Sequence, residues 1–264
     1  MYWNYVYTNY SAFQIYFYIT LGAFASVYWS YSLALMYIDL QGIHSWLFKY
    51  KIQKNKLVTL DQYWTCIKQV GFNHIFINIP LQLFIFWFTS TYTTTGIEKD
   101  LPHWTTAIQH FMAYGIIEEV WFYYSHRLLH HPSIYRFIHK RHHLFTAPVG
   151  MAATFAHPFE HLVSNMAPMV LGPIIMQSHI AVSWIWFNFA IIVTITTHCG
   201  YDLWGFPSSL AHDFHHYSFN YNFGVAGILD FLHGTDSAYQ VWLAEYRCRD
   251  KAKEALNEIS NKEE

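Results

Sequence analysis

Three clusters of histidine constrain the fold of this chain more than any other feature of its sequence. They run from His126 to His131, from His139 to His143 and from His212 to His216, and we call them boxes one, two and three. Within each box the histidines are spaced i, i+3 or i+4, so a helix would direct two or three imidazoles to one point. Neutral imidazole is the commonest metal ligand in proteins. The boxes together offer eight aligned nitrogen ligands, enough for two metal ions with coordination positions left open.

The composition indicates a membrane protein. Of 264 residues, 53% are hydrophobic, 20% are aromatic and only 12% are charged, whereas an ordinary soluble domain carries about 25% charged residues. The formal net charge of −2 argues against a nucleic-acid partner. Cysteine offers neither a thiolate metal site nor a disulfide framework, because Cys66, Cys199 and Cys248 are scattered and form no Cys-x-x-Cys pair.

Five apolar segments are candidates to cross a bilayer or to re-enter it. They cover residues 12–38, 72–92, 105–124, 162–176 and 180–197. The fourth segment is short, so a re-entrant hairpin is the alternative for the last two. In either arrangement fourteen of the fifteen Lys and Arg residues lie on one side of the membrane. By the positive-inside tendency this side is cytosolic, and all three histidine boxes share it.

The predicted fold is therefore all-α: a polytopic membrane protein of four or five transmembrane or re-entrant helices, with a cytosolic helical cap that holds a histidine-rich di-metal site. We expect a single unit over residues 1–264. Its first three membrane helices lie within 12–124. The histidine-box region covers 125–247 and includes a membrane hairpin at 162–197, and residues 248–264 form a polar tail.

Two kinds of metal site could explain the boxes. A zinc site takes four protein ligands, or three with an open position, and the chain has no His-Glu-x-x-His motif. Eight or more histidines exceed the needs of one zinc ion, whereas two iron ions would use them all and leave room for O2. A site at the cytosolic membrane surface could accept electrons from a carrier and would meet lipid. The sequence thus predicts oxygen insertion into an unactivated lipid C–H bond.

Acidic residues near the boxes are candidates to orient the imidazoles through hydrogen bonds. These candidates are Asp213, Glu119, Glu160 and Asp202. Glu118 and Glu119 fall within the third apolar segment, where carboxylates are costly and are usually functional or paired. The alternative is that this segment ends near Ile117 and that both glutamates lie among the lipid headgroups.

The spacing of the boxes, His-x3-His followed by two copies of His-x2-His-His, resembles that of the fatty acid hydroxylase superfamily, which includes sterol desaturases and methylsterol monooxygenases. Acyl-CoA desaturases are less similar, because only eight residues separate His130 from His139 here. Further strings resemble the C-4 methylsterol monooxygenase branch over about residues 115–247, with a weaker match upstream. They are Lys51-Ile52-Gln53, Glu118, Thr146-Ala147-Pro148, Ala156 to Glu160, His198 to Tyr201 and His233 to Asp236.

The resemblance implies a non-haem di-iron monooxygenase of the endoplasmic reticulum membrane, with its histidine boxes facing the cytosol. Such an enzyme uses two Fe ions, O2 and electrons passed from NAD(P)H, commonly through cytochrome b5. Members of this branch oxidise a methyl group at sterol C4 in sterol biosynthesis, and relatives hydroxylate fatty acyl or sphingoid chains. The implied metal ligands are His126, His130, His139, His142, His143, His212, His215 and His216, to which we add His198 at the end of the last apolar segment.

Four other histidines near the boxes are predicted as metal ligands or as structural residues. His157 is predicted as a tenth ligand or as a support for one, with capping of the following helix as the alternative. His161 has the same two alternatives, and His131 and His233 are predicted to be structural. The final residues contain no dilysine retrieval signal, so residence in the endoplasmic reticulum rests on the resemblance.

Two rival functions remain open at this point. The rival within enzymes is a fatty acyl or sphingolipid hydroxylase. The rival outside enzymes is a histidine-rich membrane metal carrier. Carriers place their ligands near the middle of the bilayer, whereas the histidine boxes fall outside the apolar segments.

Overall fold

The computed structural model describes residues 2–203 and 209–249. Within these residues the chain is helical and has no β-strand, and its one β-type pairing is an isolated antiparallel bridge between Lys51 and Tyr201. The predicted all-α fold is therefore confirmed. Almost all of the predicted polar tail, 248–264, lies outside the described residues.

The helices of the described chain range from three to 26 residues in length. They are α1 (Tyr2–Asn9), α2 (Thr20–Gln41), α3 (Leu60–Asn73), α4 (Ile79–Tyr92), α5 (Trp104–Leu129), α6 (Pro132–Tyr135), α7 (Pro158–Glu160), α8 (Ala167–Ile175), α9 (Ile180–Thr197), α10 (Ser209–Ser218) and α11 (Ile228–His233). Single π-helical turns lead into α2, α4 and α8; they are Gln14–Ile19, His74–Asn78 and His161–Met166. The chain is helical again over 237–249.

Three helical segments of the described chain are long and apolar enough to cross a membrane. They are Gln14–His44, Leu60–Tyr92 and Ile180–Thr197. The second begins twelve residues before the start that hydropathy predicts, at residue 72. Its start is set by a capping box, in which the Thr59 hydroxyl accepts from the Gln62 N–H and the Gln62 side chain accepts from the Thr59 N–H. Hydropathy does not detect residues 60–71 as part of the helix, because polar residues on the exposed face of this stretch lower its mean hydropathy.

The third and fourth predicted segments correspond to α5 and α8, which pack against each other. Neither is among the three spans: α5 carries Glu118 and Glu119, and α8 has only nine residues. The two helices approach closely at Gly172, where a Cβ atom would lie 2.7 Å from Cδ1 of Tyr114. A side chain at this position would collide with α5, so glycine is what allows the contact.

The packing of the long helices carries the histidine boxes to one end of the bundle. His130 is the C-terminal cap of α5, and His198 is the C-terminal cap of α9. These two helices contact each other, and α10, which carries box three, packs on α9. Boxes that are far apart in sequence therefore meet where α5 and α9 end.

A buried polar network stabilises the same end of the bundle. Asp39, near the end of α2, accepts hydrogen bonds from Lys51 Nζ at 2.8 Å, from the Tyr63 hydroxyl at 2.6 Å and from the Tyr201 hydroxyl at 2.7 Å. A buried ion pair is tolerated when further hydrogen bonds satisfy its remaining lone pairs. Because Tyr201 follows His198 by three residues, the network anchors the segment that leaves α9.

Candidate metal centre

The structure brings nine of the ten predicted ligand histidines into two adjacent groups. The five-histidine group consists of His126, His130, His139, His143 and His215, and the four-histidine group consists of His142, His198, His212 and His216. In each group, one nitrogen from every ring lies within 4.8 Å of the corresponding nitrogens of the others. The ring centroids of His139 and His142, which belong to different groups, are 5.3 Å apart. The arrangement can therefore hold two neighbouring metal ions.

Box one occupies the last turn of α5. His126 and His130 are one helical turn apart, and both rings face the five-histidine group. Phe122, one turn earlier, packs against the His126 ring with centroids 4.9 Å apart. The i, i+4 spacing of an ordinary α-helix is thus sufficient to aim both imidazoles at one point.

Boxes two and three each contribute to both groups. Box two forms a 3-10 helix over His139–Leu144 rather than an α-helix. His139 and His143 join the five-histidine group, while His142 joins the other. Box three lies on α10 and divides in the same way: His215 joins the five-histidine group, and His212 and His216 join the other. Spacing alone does not reveal this division.

The distances between ring nitrogens match those of ligands around metal ions. Two nitrogens bound about 2.1 Å from one ion, at angles between 90° and 110°, lie about 3.0–3.4 Å apart. In the five-histidine group, Nε2 of His143 is 3.1 Å from that of His139 and 3.2 Å from that of His215. In the four-histidine group, Nε2 of His212 is 2.8 Å from that of His198 and 3.1 Å from that of His216.

The outer nitrogen of most of these rings has a hydrogen-bond acceptor, which leaves Nε2 free to face inward. Nδ1 of His126 donates to the Phe223 carbonyl at 2.7 Å, and Nδ1 of His215 donates to the Tyr221 carbonyl at 2.7 Å. His142 and His198 donate in the same way to the carbonyls of Phe155 and Thr194. A neutral imidazole that donates from Nδ1 presents a lone pair at Nε2. Several lone pairs that converge at about 3 Å repel one another unless a cation lies between them, so the residues fit a metal.

Burial keeps these imidazoles in the neutral form that a metal requires. It lowers the pKa of His126 and of His142 to about 4, and that of His198 to about 3. The pKa of His143 is lowered as well, first by burial and then by His215 and His139 beside it. Desolvation disfavours the charged form of a buried imidazole. The rings are therefore unprotonated at neutral pH and available as ligands.

Of the four predicted supporting carboxylates, Glu160 accepts a hydrogen bond from a ligand imidazole. Its Oε1 accepts from Nδ1 of His139 at 2.7 Å, and both side chains are buried. Such a contact fixes the orientation of the ring and increases the basicity of the ligand. Burial lowers the pKa of His139, so the ring is neutral and Nδ1 carries the donated proton.

The other three carboxylates have different partners. Glu119 accepts from backbone N–H groups of the segment that leads into α11. Asp213 accepts at Oδ1 from the Gln53 side chain at 2.8 Å. The Asp202 backbone N–H donates to the carbonyl of Tyr50. Through these contacts the three residues connect segments of the chain around the site.

The remaining predicted histidines lie outside both groups. The structure does not bring His157 to the centre: its ring nitrogen accepts from the Phe159 N–H and caps α7. His161 is buried, and its Nε2 is 2.8 Å from Oδ1 of Asn78. His131 caps α6, and His233 is hydrogen-bonded to the Tyr124 hydroxyl. The interpretation of His157 as a ligand is therefore replaced by the capping alternative.

Several contributors to the site carry no sequence signal. Four ligand rings donate to backbone carbonyls, and every residue has a carbonyl, so composition and spacing cannot single these out. The Asp39 network is also absent from the sequence prediction. Its one visible signal is Asp39 itself, a charge at the end of an otherwise uncharged apolar segment.

A cavity of about 340 Å³ borders the four-histidine group. His198 and His212 form part of its wall, which continues along α5 through Phe122 and Glu118. Most of its other lining is apolar, and it includes Met166, Met169, Ile191, Val225, Ala226 and Phe231. This volume lies within the usual range for small-molecule pockets, about 300–1,000 Å³. The cavity therefore suits an apolar ligand held beside a metal.

Sequence comparisons with known proteins match the part of the chain that forms the two histidine groups. The family model described as fatty acid hydroxylase matches residues 111–235, the part that holds all nine clustered histidines. Methylsterol monooxygenase 1 of Gallus gallus is 35% identical over 246 residues, which cover 90% of this chain and 82% of that protein. This chain belongs to the fatty acid hydroxylase family. The predicted family resemblance is thus confirmed.

Other members of the fatty acid hydroxylase family are also similar to the chain. Fatty acid hydroxylase domain-containing protein 2 of Homo sapiens is 41% identical over 215 residues, which cover 81% of this chain and 64% of that protein. A very-long-chain aldehyde decarbonylase of Oryza sativa subsp. indica is 31% identical over 255 residues, covering 90% of this chain and 91% of that protein. No solved structure matches the chain.

Proposed function

We propose that this chain is a membrane oxygenase that holds two iron ions and hydroxylates a C–H bond of a lipid with O2. The observation that carries the proposal is the pair of inward-facing imidazole groups, one of which borders an apolar cavity. Imidazole alone suits several transition metals. Iron is favoured because relatives are named as monooxygenases and hydroxylases.

The chain's residues would have separate tasks in this reaction. Bound iron would supply the activation of O2 by electrons. The histidines hold the metal, and Glu160 orients one of them through His139. The apolar walls of the cavity exclude water and hold the lipid with its reacting carbon toward His198 and His212. Burial of both groups keeps bulk water away from the metal.

The favoured substrate is a sterol that carries a methyl group at C4. Support comes from similarity to methylsterol monooxygenase 1 along most of both chains. The second candidate is a fatty acyl or sphingolipid hydroxylase, supported by the fatty acid hydroxylase model. The apolar cavity is compatible with either lipid, so the assignment needs a direct measurement.

We place the enzyme in the endoplasmic reticulum membrane with its metal centre toward the cytosol, where NAD(P)H supplies the electrons. Exposed basic residues surround box two; they include Arg136, Lys140 and Arg141. A positive surface beside a redox centre favours the approach of an acidic carrier. Cytochrome b5 or a similar protein would fit this role.

Metal analysis tests the proposal directly. The protein purified in detergent should contain two iron ions, one for each histidine group. His142→Ala should remove bound iron and abolish turnover. His131→Ala is the matched control, because this exposed residue caps α6 outside both groups and should leave both quantities unchanged. One zinc ion or less, with no iron and with full turnover in His142→Ala, would contradict the proposal.

Lipid profiling after deletion of the gene distinguishes the substrates. Accumulation of 4-methylsterols supports the sterol assignment, whereas loss of hydroxylated fatty acyl chains or sphingolipids supports the second candidate. Metal uptake into vesicles that contain the protein would instead indicate a carrier. The expected result is accumulation of 4-methylsterols without metal uptake.

A further inference from the structure

The short helix α11 lies beside α5, along the two turns of α5 that precede box one. At the start of α11, the N–H groups of Ile228 and Leu229 donate to the Glu119 carboxylate. At its end, the His233 ring stacks on Tyr123 with centroids 5.2 Å apart. Glu119 precedes His126 by seven residues, about 10 Å along the helix axis. Part of the polypeptide after box three therefore returns along α5, within the predicted membrane segment 105–124.

The outer face of α11 is apolar and exposed. Ile228, Phe231 and Leu232 all point outward, and the Phe231 side chain is 74% exposed. The neighbouring surface of α5 is apolar too, because Ile116 and Val120 are exposed there. A contiguous apolar surface is unfavourable in water and is typical of a surface that meets lipid or a partner.

The backbone at the start of α11 has internal partners for its N–H groups. Glu119 accepts four of them, from Val225, Ala226, Ile228 and Leu229. Asp230 accepts two more, from Phe223 and Gly224. In the hydrocarbon region of a bilayer every backbone polar group must be satisfied within the protein, because no water is available. An exposed segment on a water-facing surface has no such need.

The same segment also forms part of the wall of the cavity beside the four-histidine group. Phe231 is exposed on the outside and lines the cavity on the inside, and residues 224–227 continue the lining. A single layer of chain therefore separates the exposed outer face of α11 from the cavity.

We propose that α11 lies in the acyl-chain region of the bilayer, in the leaflet nearest the histidine groups, and forms the portal through which a lipid enters the cavity. The occupant of its outer face is the bilayer itself, because that face continues the exposed apolar surface of α5 formed by Ile116 and Val120. That a substrate uses this portal rests on the proposed lipid oxygenation. The position of α11 in the bilayer is independent of the proposed function.

Spin labelling tests the position of α11. Cys66 and Cys199 are buried and Cys248 is exposed, so Cys248→Ser provides a background for single labels. A label at Phe231→Cys in lipid nanodiscs should be accessible to dissolved oxygen and shielded from a water-soluble nickel complex. Ile116→Cys on α5 is the lipid-facing reference, and Asn55→Cys in an exposed polar loop is the water-facing reference. A label at Phe231 that behaves like the one at Asn55 overturns the proposal, whether or not the protein oxidises lipids.

Kinetics test the portal. Leu232→Glu places a charge on the outer face of α11 and should raise KM for substrate delivered in a bilayer by about fivefold or more, with metal content unchanged. Leu57→Glu, at an exposed position outside the helices, should leave KM unchanged. Equal KM values for the two variants would contradict entry past α11. Absence of iron from the unsubstituted protein would instead count against the proposed function.

Discussion

Glu160 contacts one of the clustered imidazoles directly. It is buried, and its carboxylate accepts from Nδ1 of His139 at 2.7 Å. Glu160→Gln preserves the size of the side chain but replaces the carboxyl group that contacts His139 by an amide, so we expect metal affinity or activity to fall by about 10–100-fold. Titration with a chelator, followed by analysis of retained metal, measures the effect. Glu98→Gln is the control because Glu98 is exposed; equal retention in the two variants would show that the contact does not support the ligand.

Residue identity alone did not predict which carboxylates contact the ligands. Asp213 lies inside box three, yet its Oδ1 accepts from Gln53, and Glu119 accepts from the backbone before α11. A carboxylate accepts from whichever donor the fold places beside it. Proximity in sequence to a histidine therefore carries little information about that donor.

At the scale of elements, the contact between α5 and α8 depends on one glycine. A Cβ at Gly172 would lie 2.7 Å from Cδ1 of Tyr114 and 3.0 Å from its Cα. Gly172→Ala should therefore lower the free energy of unfolding by about 1–3 kcal/mol, because overpacking shifts the backbone. Gly115→Ala, where a Cβ meets nothing within 4 Å, should be neutral or stabilising, since alanine favours helix. Thermal unfolding in detergent measures the melting temperatures of the two variants. Equal melting temperatures for Gly172→Ala and Gly115→Ala would contradict the prediction.

The attachment of α11 depends on Glu119, which accepts four backbone N–H groups. Hydrogen bonds to a charged group contribute about 1.5–3 kcal/mol each, more than neutral ones. Glu119→Gln should therefore increase amide hydrogen exchange over residues 223–233. Glu118→Gln is the matched control, because the adjacent Glu118 lines the cavity and makes no hydrogen bond in the described part of the chain. Equal exchange in both variants would show that the carboxylate does not hold this segment.

At the scale of the whole molecule, the buried histidines make the metal-free protein sensitive to acid. An unfolded histidine has a pKa near 6.5, whereas burial lowers the pKa of His126 and His142 to about 4. Between these pH values the unfolded chain binds protons that the folded chain does not. Stability should therefore fall as the pH drops from about 6.5 to 4, by about 1.4 kcal/mol per pH unit for each such residue.

Thermal unfolding of the chelator-treated protein between pH 7.5 and 4.5 measures this dependence. His142→Gln removes one titrating group and should show a shallower decline. A melting temperature that stays constant over this range in the unmodified protein would contradict the buried, neutral state of the rings.

The sequence by itself determined the helical fold, the membrane setting and the identity of the clustered histidines. These follow from local properties: long apolar runs require helices in lipid, and i, i+4 spacings place imidazoles on one face. The expectation for i, i+3 spacing was wrong, since His139 and His142 belong to different groups. Eight of the nine clustered histidines belong to the boxes, and their clustering required only that the boxes meet; the ninth, His198, ends the last apolar segment beside them.

Only the tertiary structure decided how the histidines divide between two groups and which residues accept hydrogen bonds from their outer nitrogens. His142 and His143 are adjacent in sequence yet belong to different groups, because successive residues of a helix point in different directions; His215 and His216 on α10 divide in the same way. His157 caps α7 because its ring accepts from the Phe159 N–H. Directions of side chains and contacts with backbone carbonyls depend on the packing of distant elements, and no local pattern in the sequence records them.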